Sequence, residues 1–179
     1  AQQTVERRSG KSESLSEKYD KLALEQQKLL GETAVKRAEQ ASKQLDKQIN
    51  VQEEMQQATD YLSKNNKDMA TQRKLARAQQ RQIHSAVEQA TNLKEAAKEL
   101  EGEAKKKAEK ASEAAIKAAE TLRKSAEQIK QGKFAEAKAS QQKASEELSK
   151  ATQLARQVKR TANNQPQQAQ RQSGLAQQA

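Results

Sequence analysis

Residues 83–104 read IHSAVEQATNLKEAAKELEGEA. Ile83, Ala86, Ala90, Leu93, Ala97, Leu100 and Ala104 follow one another at alternating steps of three and four. Those steps return to one side of a 3.6-residue helix, so the stretch predicts an amphipathic helix with a narrow apolar stripe. The stripe continues as Ala108, Ala111, Ala115, Ala118, Leu122, Ala126 and Ile129. From Leu100 through Ala104 to Ala108 the steps are four and four, which reads as a stutter toward an 11-residue repeat inside one continuous helix.

The same rhythm extends both ways. Toward the N-terminus it runs through Leu15, Tyr19, Leu22, Leu29 or Leu30, Ala34, Ala38, Ala41, Leu45, Ile49, Gln52, Met55, Thr59 and Leu62. It stops at Ser63-Lys64-Asn65-Asn66-Lys67-Asp68, where Asn tolerates the left-handed conformation that ends helices and Asp68 is suited to cap the next one. Gln131-Gly132-Lys133 is a second turn, with Gly at the position after a helix end. A third stripe follows through Ala137, Gln141, Ala144, Leu148, Ala151, Ala155, Val158 and Ala162.

The expectation is an all-α fold: an elongated antiparallel three-helix coiled coil, a long helical hairpin plus a shorter third helix. Residues 1–11 form a polar arm. Residues 12–163 form the helical domain, with helices at about 12–64, 67–131 and 134–162. Residues 164–179 form a disordered Gln-rich tail. The middle helix would be about 90 Å long at 1.5 Å per residue. Folding back from the two turns places Leu62 opposite Met69, Leu45 near Ala86, Leu22 near Ala108, Leu148 near Ala118 and Val158 near Ala108. Both outer helices would then cover residues 104–118, where Ala falls on two faces and lets partners approach closely.

Composition points the same way. Only 33% of the 179 residues are hydrophobic, with one Phe, two Tyr and no Trp. Large apolar side chains carry most burial energy, at about 25 cal/mol per Å², so this chain can fill a seam between helices but not a thick interior. Ala (31 residues) and Gln (28) dominate, with Lys and Glu abundant; these are strong helix formers. Glu17–Lys21, Glu32–Lys36, Glu39–Lys43, Glu101–Lys105, Glu103–Lys107, Glu113–Lys117 and Glu120–Lys124 stand at i,i+4 and add about 0.2–0.5 kcal/mol each to a helix. No apolar run approaches the roughly 18 residues of a membrane span. The opening Ala1 implies a processed or excised chain.

Chemistry is not evident. With no Cys and one His, His84, thiolate and zinc-type ligand sets are excluded. Carboxylate pairs such as Glu95–Glu99 and Glu109–Glu113 sit among lysines on faces expected to be wet, where no pKa is driven toward acid–base work. Gly102 stands alone between two acids, which repel a phosphate. We expect no catalytic residue, no metal, no cofactor and no small-molecule substrate. The net charge of +10 lies mostly in a tail beyond Glu147 (Arg156, Lys159, Arg160, Arg171) and in one stripe. No acid occurs between Asp68 and Glu88; there Arg73, Lys74, Arg77 and Arg81 make a candidate anion-binding stripe for nucleic-acid phosphates or lipid headgroups. It lacks interleaved aromatics and large apolar residues for insertion, so a solvated face, or pairing with acids of the first helix, is the plainer reading.

The stretch Lys74–Arg160 contains Ala78-Gln79-Gln80-Arg81-Gln82-Ile83, Ile129-Lys130-Gln131-Gly132-Lys133-Phe134-Ala135-Glu136-Ala137 and Gln141-Gln142-Lys143-Ala144-Ser145-Glu146-Glu147-Leu148. It resembles the long Gln/Ala-rich helical regions of large, uncharacterised, membrane-anchored bacterial envelope proteins. The resemblance covers about half the chain and implies a structural or scaffolding role in the cell envelope, with no active site to carry over.

The leading functional expectation is therefore a structural or protein-interaction coiled coil, a scaffold or spacer whose helix faces meet a second copy or other helical proteins. The second is a basic helical module on nucleic acid or an anionic membrane through Arg73, Arg77 and Arg81. A third is a desiccation-protectant-like chain, disordered in dilute buffer.

Overall fold

Three corners, not two, divide the chain. The computed structural model describes the backbone of residues 15–176 and the side chains of residues 18–164; the arm expected at 1–11 lies outside the described residues. Among the described residues there are four helices and no strand: α1 (Leu15–Lys64), α2 (Met69–Lys98), α3 (Gly102–Lys130) and α4 (Phe134–Ala176). They pack as a helical bundle. The three-helix arrangement is corrected at residues 99–101, where the long middle helix breaks in two.

Each corner has its own chemistry. At the first, the Asn65 backbone and side-chain nitrogens both donate to the Tyr61 carbonyl, at 2.9 and 3.0 Å. Asp68 caps α2: its carboxylate accepts from the Thr71 backbone N–H at 3.0 Å and the Thr71 hydroxyl at 2.8 Å, satisfying donors a helix start leaves unpaired. Those Thr71 bonds, with the Tyr61 hydroxyl, hold the Asp68 carboxyl below its usual range, and the same contact raises the Tyr61 hydroxyl. No described non-glycine residue has a positive φ, so Asn65 and Asn66 turn the chain without the left-handed conformation expected of them.

The third corner closes as a Schellman motif. Lys133 N–H donates to the Gln128 carbonyl at 2.8 Å and Gly132 N–H to the Ile129 carbonyl at 3.0 Å, with Gly132 at φ 72°. The unexpected second corner uses Gly102 at φ 56° and an extended Glu101. Leu100 lies within the break yet is buried, so the apolar rhythm runs through the corner. The four-plus-four step is a change of helix rather than a stutter.

Each helix packs mainly on two neighbours, in the ring α1–α2–α3–α4–α1. Residue numbers rise along α1 as they fall along α4: Glu39 meets Lys159 at 3.4 Å, Asp46 meets Arg156 at 3.1 Å, and Asp60 meets Lys138 at 2.7 Å. Neighbours are thus antiparallel. On α3, adjacent pairs such as Ala114/Ala115 and Ala118/Ala119 are buried on two faces. Two-sided coverage of this Ala-rich stretch is observed; the last helix, α4, supplies one side as expected, and α2 takes the side expected of the first helix. Leu45 and Ala86 share one buried cluster, as do Leu148, Ala118, Val158 and Ala108. Leu22 does not reach Ala108, being half exposed, and Met69 turns outward while Leu62 is buried. Of the expected Glu–Lys pairs, Glu39–Lys43 forms at 3.9 Å, while Glu103 takes Lys106 at 3.0 Å instead.

The core comes in two blocks. The larger holds Leu45, Leu93, Leu100, Leu122, Leu148, Ile83, Val158 and seventeen alanines. The smaller gathers Met55, Leu62, Leu75, Ile129, Phe134 and Ala137 near the first and third corners. Between them lies a polar layer drawn from all four helices. Thr59 donates to Gln141 Oε1 at 3.0 Å, Gln79 Nε2 donates to Ser125 Oγ at 2.6 Å, and Ser125 donates to the Ala137 carbonyl at 3.2 Å. Gln79 Oε1, Gln141 Nε2 and Gln52 Oε1 in this region are buried without a protein partner.

α2 and α3 have 30 and 29 residues, about 45 Å each. α1 and α4 are longer, and the antiparallel order sends both surpluses past the same end, the one capped by the Glu99–Glu101 corner. Burial of α1 begins at Ala34. The α4 backbone is helical through Ala176, past the residue-163 boundary expected for it. Inside a helix Pro166 lacks a backbone donor and crowds the carbonyl of the preceding turn, a cost that the surrounding Gln and Ala, good helix formers, work against.

Candidate functional site

α2 turns Leu75, Gln79, Ile83, Ala86, Ala90 and Leu93 inward. Its basic residues therefore face out. Arg77, Arg81 and His84, with Gln80, Ile83 and Val87, line an open groove of about 700 Å³ against α3. α3 adds Arg123, which sequence reasoning did not connect to the stripe. The antiparallel register explains its place: Gln79 meets Ser125, and Gln72 donates to the Ile129 carbonyl at 2.8 Å, so Arg123 lies level with Arg81. Arg73 and Lys74 are exposed on α2 but do not line the groove. The structure brings two of the four stripe residues together and leaves two outside.

None of Arg73, Lys74, Arg77, Arg81 and Arg123 forms an ion pair. Among the described residues, pairing with first-helix acids, one of the two plainer readings of the stripe, does not occur. Asp46, Asp60 and Glu39 of α1 are committed to α4. Arginines without acid partners remain available to an anion, though in the open groove water and salt screen them strongly.

A second surface was not legible in the sequence. Tyr19, Leu22, Leu24, Leu29 and Leu30 are 50–66% exposed, and they make up five of the eight exposed large hydrophobics among the described residues. All five stand on the part of α1 that outruns the bundle. Gln27 donates to Glu101 Oε1 at 3.0 Å across the base of this overhang. There, Gly31, Val35, Leu100, Ala162 and surrounding charges line a hollow of about 450 Å³. The sequence read Tyr19 and Leu22 as part of the buried seam; the structure corrects this, because α2 has already ended at their level.

Among the described residues no cluster of three or more His, Asp or Glu is placed to hold a metal ion, and no helix is long and apolar enough to cross a membrane. No family model, curated protein or solved structure matches the chain.

Proposed function

We propose that this chain is a non-enzymatic structural or protein-interaction module, a helical scaffold or spacer of coiled-coil type that presents helix faces to partner helices. The observation that carries the reading is the α1 overhang. In a chain so poor in large apolar residues, five of them stand in twelve positions of α1, each at least half exposed. Exposed apolar patches of this kind mark association surfaces, and an amphipathic helix offered to another helix is a common mode of recognition. The resemblance to envelope-protein helical regions adds an envelope setting to the proposal.

The test is to replace Leu22 and Leu29 together by Glu. Neither side chain is in the bundle core, so the thermal midpoint should move by no more than 2–3 °C. Association through α1, with a second copy or a helical partner, should be lost. A large fall in the variant's midpoint would show that this face belongs to the fold, and association unchanged from the parent would place the docking surface elsewhere.

A second reading is favoured by one observation: Arg77, Arg81, His84 and Arg123 share a groove with no acid paired to its arginines. On this reading the groove grips the phosphates of nucleic acid or of an anionic membrane. Binding to DNA or to phosphatidylserine vesicles should fall steeply with salt. The triple replacement of Arg77, Arg81 and Arg123 by Glu should abolish it, while Arg73→Glu should have a smaller effect. No binding at physiological salt would end this reading.

A further inference from the structure

The overhang has a register of its own. Carried back by heptad steps, the core stripe of α1 (Ala34, Ala38, Ala41, Leu45) lands on Gly31, Gln27, Leu24 and Asp20. The other apolar line, Tyr19, Leu22, Gln26, Leu29 and Thr33, also repeats at steps of three and four, but it is offset from the first alternately by one residue and by two. At about 100° per residue that offset turns its centre by roughly 150°. The overhang therefore does not simply prolong the bundle seam; it carries a separate seam, turned away from the side that continues toward α4.

We infer that this second seam pairs with the same segment of a second copy of the chain, antiparallel about a two-fold axis near residue 24. The inference rests on the reading of α1 as a partner-presenting helix and names the partner. Three features select it. First, the charges fit. In an antiparallel pair with Tyr19 against Leu29 and Leu22 against Gln26 of the second copy, the flanking Lys18 meets Glu32 of the second copy, and the symmetry repeats the pair. Second, residues 18–33 contain three bases (Lys18, Lys21, Lys28) and three acids (Asp20, Glu25, Glu32). That balance suits a self-complementary protein contact and gives no net attraction to an anionic lipid surface. Third, the geometry leaves room. Antiparallel overhangs send the two bundles out at opposite ends, whereas a parallel pair would force them side by side. One contact opposes the pairing: Glu25 faces Glu25 of the second copy at the axis.

Sedimentation equilibrium on the full chain tests the inference, and the expected result is a concentration-dependent dimer. Leu22→Glu with Leu29→Glu should weaken it at least about a hundredfold, since it takes two leucines out of each copy's seam and puts charges in their place. Lys18→Glu should weaken it roughly tenfold, and adding Glu32→Lys should restore it. Glu25→Gln should tighten it. The chain has no cysteine, so orientation is directly readable. A chain carrying Lys18→Cys mixed with one carrying Glu32→Cys should form the crossed disulfide, and neither alone should form it efficiently. A monomer at about 100 µM, or efficient self-linking of Lys18→Cys, overturns the inference. A monomer would still leave the broader reading standing if the Leu22/Leu29 variant loses capture of a helical partner by α1; if that capture is unaffected, the broader reading fails as well.

Discussion

Leu93→Ala is expected to lower the stability of the fold by about 2–5 kcal/mol, while Leu22→Ala, measured at a dilution where the chain is monomeric, shifts it by less than about 0.5 kcal/mol. The chemistry removed is the same. Leu93 is fully buried and Leu22 is half exposed. The value for Leu93 should lie in the upper part of that range, for a reason specific to this core. Its block has five leucines, one isoleucine and one valine among seventeen alanines. Alanine has no rotamer with which to reach into a vacated space, so the hole closes only if a whole helix shifts. Denaturant unfolding followed by circular dichroism checks both variants. A lower midpoint with an unchanged slope for Leu93→Ala is the expected pattern; a cost below about 1 kcal/mol would mean that the alanine seam is loose enough to collapse.

The opposite error is expected to be nearly as damaging. Ala118→Leu adds three carbons at a site with no exposed surface, on a helix that presents short side chains to neighbours on two faces. Overpacking of this kind costs about 1–3 kcal/mol. At about 2–4 °C per kcal/mol for a chain of this size, the thermal midpoint should fall by several degrees. Lys117→Leu, one residue away on an exposed face, is the control and should leave the midpoint nearly unchanged. An unchanged midpoint for Ala118→Leu would show that α2 and α4 do not approach α3 as closely as its alanines permit.

The three-four rhythm made the helices legible, and local chemistry made two corners legible: Asp68 had a capping side chain to read, and Gly132 had helix before it and a fresh start after it. The corner at 99–101 was hidden by its own packing. Leu100 keeps the stripe in phase through the break, and Glu99, Glu101 and Glu103 are good helix formers. Its traces were the isolated Gly102 and the four-plus-four step, both of which a continuous helix also tolerates. The α1 overhang was missed for a related reason. The choice between Leu29 and Leu30 marked the point where the stripe slips out of phase, but only the end of α2 shows that the earlier phase has lost that neighbour. Half of the basic groove was legible, because Arg77 and Arg81 share a helix. Arg123 is 42 residues beyond Arg81, and only the antiparallel fold of α3 on α2 brings the two level.

The exit of α1 and α4 through the same end has a mechanical consequence. A force separating their two ends acts across the α1–α4 contact rather than along it. The load then falls on one turn at a time, beginning at the Glu39–Lys159 pair and moving toward Asp60–Lys138. Such a geometry peels like a zipper and yields at low force. The same bundle pulled between the Asn65 corner and the Glu99–Glu101 corner would be loaded in shear, along the length of α2, with many contacts resisting together. The fold is expected to be softer to tension in the first direction than in the second.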